Sequence, residues 1–261
     1  MSETPVRLER RGPVGILTVD RPERRNALSR LTLTELGRLG RELVLDPSIR
    51  AIVITASGDK VFCAGADLKE RQAFTNEDVR VQVGLYRTEL GILDKSPKPV
   101  IAALNGSAFG GGLELALICD LRVCVPSAML ALPETTLGII PGAGGTQRLP
   151  RVIGEARAKE MILLGRPINA ETALAWGLVN RISPANVDVV EDVIAFIKPI
   201  AEGAPIAQAA ALAAVDIALS TDLDQGLQLE RVHYDETLRS SDRLEALAAF
   251  AEKRPPRFSG K

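Results

Sequence analysis

Two short aliphatic runs constrain the fold of this chain more than any other feature. Val14 to Val19 and Ala51 to Thr55 are rich in β-branched residues and have the composition of buried strands. Between them, Leu28 to Leu45 carries leucines at helical spacing. A strand, a helix and a second buried strand in this order predict an α/β protein.

The same alternation continues along the chain. Thr75, followed three residues later by Asp78, has the pattern of a capping box and predicts a helix from about Glu77 to Leu93. Lys98 to Leu104 then reads as a strand, which the glycines between Gly106 and Gly112 interrupt.

A further strand and several helices follow the glycine-rich break. We expect an apolar helix from Leu113 to Cys119 and a strand from Leu121 to Val125. A glycine-rich turn at Pro141 to Gly145 precedes two more helical segments, which end at about Trp176.

The chain changes character beyond about Asp188. No strand pattern follows, and the alanine-rich and leucine-rich remainder has helical periodicity, with Asp242 and Glu245 as a predicted cap pair before Leu244 to Phe250. We therefore divide the chain into an α/β core over residues 1–190 and a helical region over residues 191–261, which would pack on the core or on a neighbouring subunit.

Charge and hydropathy exclude several classes of protein. The 261 residues include 32 Lys and Arg against 33 Asp and Glu, a net charge of -1, so nothing global attracts nucleic acid or anionic membranes. Met1 to Arg11 lacks the apolar run of a signal peptide, and no later stretch stays apolar for the roughly 18 residues that a membrane span needs. We expect a cytoplasmic protein.

The scarcity of histidine limits the chemistry. His233 is the only histidine, and Cys63, Cys119 and Cys124 stand in apolar surroundings without paired spacing. This pattern indicates buried reduced thiols, and it argues against a zinc site and against a nucleophile that needs a histidine base. Carboxylates and backbone groups must therefore carry any catalysis, without a metal or another cofactor.

The glycine loop that ends at Glu114 has the position of an anion-binding loop. It runs from Asn105 after a strand and opens a helix, whose free N–H groups suit a phosphate or a developing oxyanion. It lacks the Gly-Lys-Ser/Thr of a phosphate loop and the Gly-x-Gly of a dinucleotide loop, and the second cluster, Gly142 to Gln147, fails the same test. A purely structural turn stays open for either loop.

Glu114 and Glu134 are the two acids that stand in apolar settings. Glu114 lies in the first turn of an apolar helix, and Glu134 follows a proline in an apolar loop. Burial would raise their pKa toward neutrality, where proton transfer is most effective. A favourable interaction of Glu114 with the helix dipole is the simpler alternative for that residue.

Four separated motifs resemble those of the enoyl-CoA hydratase/isomerase (crotonase) family. They span nearly the whole chain in the family's order, with two glutamates at the spacing that hydratases use. The motifs are Phe62 to Leu68, Asn105 to Ala116, Pro133-Glu134 and Ile139 to Leu149. The resemblance implies a crotonase-like spiral of repeated ββα units, with a C-terminal helical region for trimerisation.

The resemblance also implies roles for single residues. The amides of Ala66 and Gly111 would form an oxyanion hole for a thioester carbonyl, and the amide of Gly142 would help to position water. Glu134 would exchange a proton with the α-carbon, and Glu114 would activate or deliver the water. Preorganised donors of this kind each contribute about 3 kcal/mol to transition-state stabilisation.

Coenzyme A, as part of the substrate, would occupy a groove that the resemblance places between two segments and an adjacent subunit. The family usually forms trimers and dimers of trimers. The implied contacts are Arg24, Arg25, Ala27, Ala64, Ala66, Asp67 and Leu68, with Phe250 and Lys253 from the neighbour. Arg24 and Arg25 are equally compatible with solvated surface charges.

The finer resemblance is to the methylglutaconyl-CoA hydratases. Cys63 to Arg71 and Asp242 to Phe258 carry it. It implies reversible hydration of 3-methylglutaconyl-CoA to 3-hydroxy-3-methylglutaryl-CoA in leucine breakdown or in the reverse direction. That substrate has a second carboxylate, for which Lys69 and Arg71 are weak candidates as partners.

Two other functions stay open. A general short-chain enoyl-CoA hydratase of β-oxidation would keep the chemistry and change the acyl group. RNA binding, known for a hydratase of this subgroup, would use a basic helix. Between Asn26 and Arg50, four arginines face three acidic residues, a balance of +1 that does not form a polyanion-binding stripe.

Overall fold

The computed structural model describes residues 4–261, so residues 1–3 of the amino-terminal stretch considered above for a signal segment lie outside it. Ten strands occur within the described range. They are β1 (Val6–Arg11), β2 (Val14–Val19), β3 (Ala51–Ala56), β4 (Val61–Cys63), β5 (Val100–Leu104), β6 (Ser107–Phe109), β7 (Leu121–Cys124), β8 (Met129–Ala131), β9 (Ile168–Asn169) and β10 (Arg181–Ile182).

Thirteen α-helices accompany the strands within residues 4–261. They are α1 (Arg30–Leu45), α2 (Leu68–Arg71), α3 (Asn76–Thr88), α4 (Gly91–Asp94), α5 (Gly111–Leu117), α6 (Gly145–Ile153), α7 (Glu155–Leu164), α8 (Ala170–Ala175), α9 (Val189–Phe196), α10 (Lys198–Ala201), α11 (Pro205–Asp216), α12 (Leu223–Leu238) and α13 (Ser241–Glu252).

The strands form two sheets that share their connections. The larger sheet has the order β1-β2-β3-β5-β7-β10 and is parallel apart from the β1–β2 pair, while the smaller has the order β4-β6-β8-β9. Each of the pairs β3/β4, β5/β6 and β7/β8 contributes one strand to each sheet, and helices follow. This repetition of ββα units is the predicted fold.

The core lies on both faces of the larger sheet. On one face α1 buries Leu33, Leu36 and Leu43 completely. On the other, Val193 and Ile197 pack in a second cluster with strand residues. Each fully buried side chain of this kind contributes roughly 1.5–3 kcal/mol, so both faces hold the strands in place.

The first two predicted strands and the helix between them are confirmed with small shifts in their bounds. The strand from Val14 to Val19 is found as predicted, and α1 begins at Arg30 because the Ser29 hydroxyl accepts a hydrogen bond from the Thr32 amide, 3.1 Å away. The three cysteines are free and buried, as expected from their apolar surroundings.

The helix predicted from Glu77 to Leu93 is divided. The Thr75 capping box opens α3 as predicted, but α3 ends at Thr88 and α4 begins at Gly91. The break between them lets Leu90 and Leu93, each 1% exposed, turn into the core.

Six strands were not predicted, among them the two-residue strand β10 (Arg181–Ile182) at the far edge of the larger sheet. Four of them, β4, β6, β8 and β9, make up the smaller sheet and have only two or three residues each, too few to display a period of two. Another, β1, is an edge strand with charged residues on its exposed face, so its sequence lacks the aliphatic run of the buried strands.

The predicted cap pair at Asp242 and Glu245 is wrong. The Ser240 hydroxyl caps α13 by accepting from the Arg243 amide at 3.2 Å. Asp242 is 2% exposed and accepts hydrogen bonds from the amides of Ser259 and Gly260, at 2.6 and 2.9 Å. This carboxylate binds the end of the chain, a tertiary contact that helix-start rules do not include.

The described helices include none with both the length and the apolar character needed to cross a membrane. After β10, residues 189–252 are helical apart from their connections. The predicted boundary at residue 190 falls within α9 (Val189–Phe196).

Candidate active site

A cavity of about 500 Å³ lies where the two sheets meet the helices. The loop after β4, one side of α3, the start of α5 and the segment from Pro133 to Ala143 enclose it. Most of the lining side chains are apolar, and Arg71, Tyr86, Glu114 and Glu134 are the exceptions. The cavity therefore combines an apolar wall with a few converging polar groups, as small-molecule sites do.

The glycine loop turns sharply at Gly110 to open α5. Gly110 has φ +53° and ψ -126°, a backbone conformation that side chains disfavour. A Cβ at Gly112 would overlap the carbonyl oxygen of Cys63. These glycines allow the start of α5 to approach the loop after β4 closely.

The loop after β4 brings the Ala66 amide to the same place. Gly65 has φ +95°, and a Cβ there would lie 2.9 Å from the Phe109 oxygen and 3.3 Å from the Gly111 nitrogen. Ala66 is bridged to Leu28, which fixes the course of the loop. Among the hydrogen bonds of residues 4–261, the amides of Ala66 and Gly111 donate to no protein acceptor. Two adjacent unused donors suit a developing oxyanion.

Glu114 points from α5 toward the glycine-rich turn. Its Oε1 accepts from the amides of Ala143 and Gly145 at 2.8 and 2.7 Å, and only 3% of the residue is exposed. Burial raises the pKa of Glu114 above its ordinary value, although the two amides oppose this effect. The amides hold the carboxylate in one orientation and stabilise its charge.

Glu134 approaches the same region from a 3₁₀ turn. The residue is 8% exposed, and Oε2 has no hydrogen-bond partner in the described chain. Its Oε1 lies 2.9 Å from the position a Cβ would take on Gly110, so the carboxyl packs directly over the glycine loop. Burial, with a smaller contribution from the charge of Glu114, raises the pKa of Glu134 to about 7.

From the sequence, Tyr86 was not identified as a site residue and the role of Arg71 was left undecided. Tyr86 lies on α3, and its buried hydroxyl has no partner within residues 4–261 and faces Gly111. Arg71, at the end of α2, also lines the cavity. The pattern of α3 contained a signal for Tyr86, since Val79, Val83 and Tyr86 follow helical spacing along the face that lines the cavity.

The sequence-predicted residues fall into two groups. Seven line the cavity: Ala64, Ala66, Leu68, Gly111, Glu114, Glu134 and Gly142. Six do not: Arg24, Arg25, Ala27, Asp67, Phe250 and Lys253.

The segment that contains Arg24, Arg25 and Ala27 runs beside the loop after β4. The Ala64 amide donates to the Arg25 carbonyl at 3.1 Å, and Arg24 and Arg25 are exposed next to the cavity wall. Asp67 is 5% exposed and pairs with Arg21 at 2.8 Å. This side chain is therefore occupied in shaping the loop.

Phe250 and Lys253 lie on the C-terminal helices, away from the cavity of their own chain. Phe250 is 85% exposed, and Lys253 ends α13 in the left-handed conformation. Residues 4–261 contain no cluster of three or more His, Cys, Asp and Glu side chains that could hold a metal ion.

The arrangement places two acids with raised pKa beside two unused amide donors. Glu134 can hold a proton near neutral pH, and Glu114 can hold a charge that two amides stabilise. Such a site can stabilise an enolate while one acid donates a proton and the other accepts one.

Comparisons with known proteins point in one direction. The family model described as "Enoyl-CoA hydratase/isomerase" matches residues 9–261. The chain is 41% identical over 255 residues to the mitochondrial methylglutaconyl-CoA hydratase of Mus musculus, covering 97% of this chain and 81% of that protein. It is 42% identical over 248 residues to enoyl-CoA hydratase domain-containing protein 2, mitochondrial, of Homo sapiens, covering 94% of this chain and 85% of that protein.

A comparison with solved structures finds a similar enzyme. The crystal structure of enoyl-CoA hydratase from Bacillus anthracis is 43% identical and superposes with a TM-score of 0.95, covering 98% of this chain and 100% of that chain.

Proposed function

The chain belongs to the enoyl-CoA hydratase/isomerase (crotonase) family, and from that premise we propose that it is a hydro-lyase, which adds water reversibly to the 2,3-double bond of an acyl-CoA thioester. One observation carries the proposal. Two buried acids with raised pKa, Glu114 and Glu134, share a cavity with the unused amides of Ala66 and Gly111.

The two amides supply the stabilisation that hydration needs. When water adds to C3, negative charge moves through C2 to the thioester oxygen. Donation from Ala66 and Gly111 to that oxygen stabilises the enolate, at about 3 kcal/mol for each donor. The donors lie at a helix start and a loop held by close glycine packing, so they need no rearrangement.

The two acids divide the proton transfers. Glu114, as the anion, removes a proton from water while the water oxygen bonds to C3, and the Gly142 amide helps to position that water. Glu134, as the acid, gives its proton to C2. Each transfer contributes roughly 10²- to 10⁴-fold to the rate. A proton then returns from Glu114 to Glu134 through solvent, and dehydration follows the reverse order.

The surroundings of Glu134 support the proposal that it transfers the proton to the carbon. Its Oε2 lacks a partner and its pKa is about 7, so it can carry the proton that C2 requires. Glu114 receives two amide hydrogen bonds, which favour the charged form that a base must have.

For the acyl group we propose 3-methylglutaconyl-CoA, with 3-hydroxy-3-methylglutaryl-CoA as the hydrated product, in leucine metabolism. The relative named methylglutaconyl-CoA hydratase supports this choice. A general short-chain enoyl-CoA hydratase is the alternative. RNA binding receives no support from α1, because Arg38 and Arg41 pair with Glu35 and Glu89.

Steady-state hydration of crotonyl-CoA and 3-methylglutaconyl-CoA tests the proposal. The reaction is monitored through the loss of absorbance of the conjugated thioester. We expect kcat/KM to be higher for 3-methylglutaconyl-CoA. A strong preference for crotonyl-CoA would replace the proposed substrate by the general one. Absence of activity on both would refute the hydro-lyase.

We further propose that residues 191–261 form the interface of a trimer or a dimer of trimers. In support, α12 has no buried residue in the single chain, and Leu223 and Phe250 are 76% and 85% exposed. Large apolar side chains that are exposed on the surface of a single chain indicate a partner surface. Phe250 and Lys253 would then reach the coenzyme A of a neighbouring subunit. Sedimentation velocity of the wild type and F250E checks this, since the charge should weaken assembly.

Two further expectations belong to the same proposal. The reaction as written needs no metal and no resident cofactor, because coenzyme A arrives with the substrate. A cytoplasmic location is also proposed, although the relatives from Homo sapiens and Mus musculus carry the word mitochondrial in their names. Fractionation of the source cells tests the location.

A further inference from the structure

We propose that Arg71 is the receptor for a second carboxylate on the acyl group, which makes the cavity selective for acyl-CoA thioesters of dicarboxylic acids. The inference rests on the hydro-lyase function proposed above. It adds the residue that binds the end of the acyl group distant from the thioester. It concerns the acyl part of the proposed substrate.

Arg71 is the only basic residue that lines the cavity in the described part of the chain. It stands at the end of α2, and its neighbours in the wall include Val79 and Val83. Leu137, Ile139 and Ile140 add further apolar surface. A single guanidinium in an apolar wall is a strong determinant of which acyl groups can bind, because such walls otherwise favour uncharged chains.

The guanidinium is held from one side. Its Nε donates to Oε1 of Gln82 at 2.6 Å, and Gln82 is completely buried. The Gln82 amide nitrogen donates in turn to Glu70 at 3.0 Å. Gln82 therefore positions Arg71 and satisfies the inner edge of its guanidinium.

The outer edge of the guanidinium has no protein partner. Within residues 4–261 the two terminal nitrogens of Arg71 donate to no acceptor, and the residue forms no ion pair. Buried and half-buried arginines are usually paired with a carboxylate. The two terminal nitrogens have the fork geometry that binds a carboxylate with two parallel hydrogen bonds.

Lys69, the other basic residue of this segment, does not compete for the role. It is exposed and does not line the cavity. A simpler role for Arg71 is to tune the two acids, since its charge lowers the pKa of both Glu114 and Glu134. Tuning would affect every substrate alike, whereas a carboxylate receptor affects only substrates that carry the carboxylate.

This difference defines the experiment. Crotonyl-CoA and glutaconyl-CoA differ only in the distal carboxylate, so the ratio of their kcat/KM values cancels coenzyme A binding and the tuning of the acids. We expect R71M to lower the ratio for glutaconyl-CoA over crotonyl-CoA by roughly 10- to 100-fold, the worth of hydrogen bonds to a charged group. The matched control, K69M, removes a charge two residues away and should leave the ratio within about twofold.

R71K provides a second measurement that does not depend on the folding of R71M. Lysine keeps a positive charge near both acids but lacks the fork, so the ratio should fall to an intermediate value. An unchanged ratio in both R71M and R71K would overturn the carboxylate receptor while leaving the hydro-lyase in place. A wild-type protein that hydrates neither thioester would instead refute the proposed function and the inference with it.

Discussion

Replacing Glu134 by Gln should stabilise the protein at alkaline pH and remove most of its hydration activity. The wild-type carboxyl is buried, and its pKa is raised from 4.5 to about 7. Between these pH values the folded state holds a proton that the unfolded state has lost. The wild-type free energy of unfolding therefore decreases as pH rises from about 4.5 to about 7, and the full penalty is present above that range.

The size of the effect follows from the two pKa values. A change from 4.5 to about 7 corresponds to about 3 kcal/mol. Because Gln has no charge to desolvate, E134Q should exceed the wild type in stability by up to about 3 kcal/mol at about pH 8. The difference should approach zero near pH 4.5. Hydration should fall roughly 10²- to 10⁴-fold with the loss of the acid.

Urea unfolding at equal protein concentration, repeated across this pH range, measures the difference. The control is E160Q, which removes an exposed carboxylate from α7 and should shift stability by no more than about 0.5 kcal/mol at any pH. A stability difference between E134Q and the wild type that stays constant from pH 4.5 upward would refute the reasoning, because a buried ionisation must depend on pH.

E114Q should lower kcat for hydration roughly 10²- to 10⁴-fold, while the side-chain oxygen of the introduced Gln still accepts hydrogen bonds from the glycine-rich turn. Near wild-type turnover would remove Glu114 from the mechanism. G112A should destabilise by about 1–3 kcal/mol in thermal unfolding, because its Cβ would overlap the backbone of Cys63. The control G84A, with open space around the new Cβ in α3, should instead stabilise by about 0.5–1 kcal/mol. D242A should cost about 1–3 kcal/mol in thermal unfolding, because the amides of Ser259 and Gly260 lose hydrogen bonds to a buried carboxylate.

Elements with a long periodic pattern were predictable because burial imposes that pattern on the chain. The strand from Val14 to Val19 and helix α1 both bury apolar side chains in the core. Their hydrophobic spacing was therefore sufficient to predict them. The smaller sheet was not predictable in this way. Its strands, such as β6 (Ser107–Phe109), are too short to carry a period and depend on pairing with distant segments.

The two acids were recognisable because a carboxylate in an apolar segment is costly without a function. The spatial relationship of the two acids to the glycine loops was not recognisable from the sequence. Glu114 accepts from the amides of Ala143 and Gly145, about thirty residues further on, and Glu134 packs over Gly110. Only the folded chain brings these groups together, since no local rule connects residues so far apart in sequence.

By itself the sequence determined the α/β class, the two catalytic carboxyl candidates and the glycine loops that a close backbone approach requires. The tertiary structure decided the environment of these groups. It showed that Asp242 binds the chain end, and it separated Arg71, which lines the cavity, from the exposed Lys69. The physical reason is that the identity of a residue sets its chemistry, whereas burial and partners, which set its pKa and its exposure to substrate, arise only from contacts between distant parts of the chain.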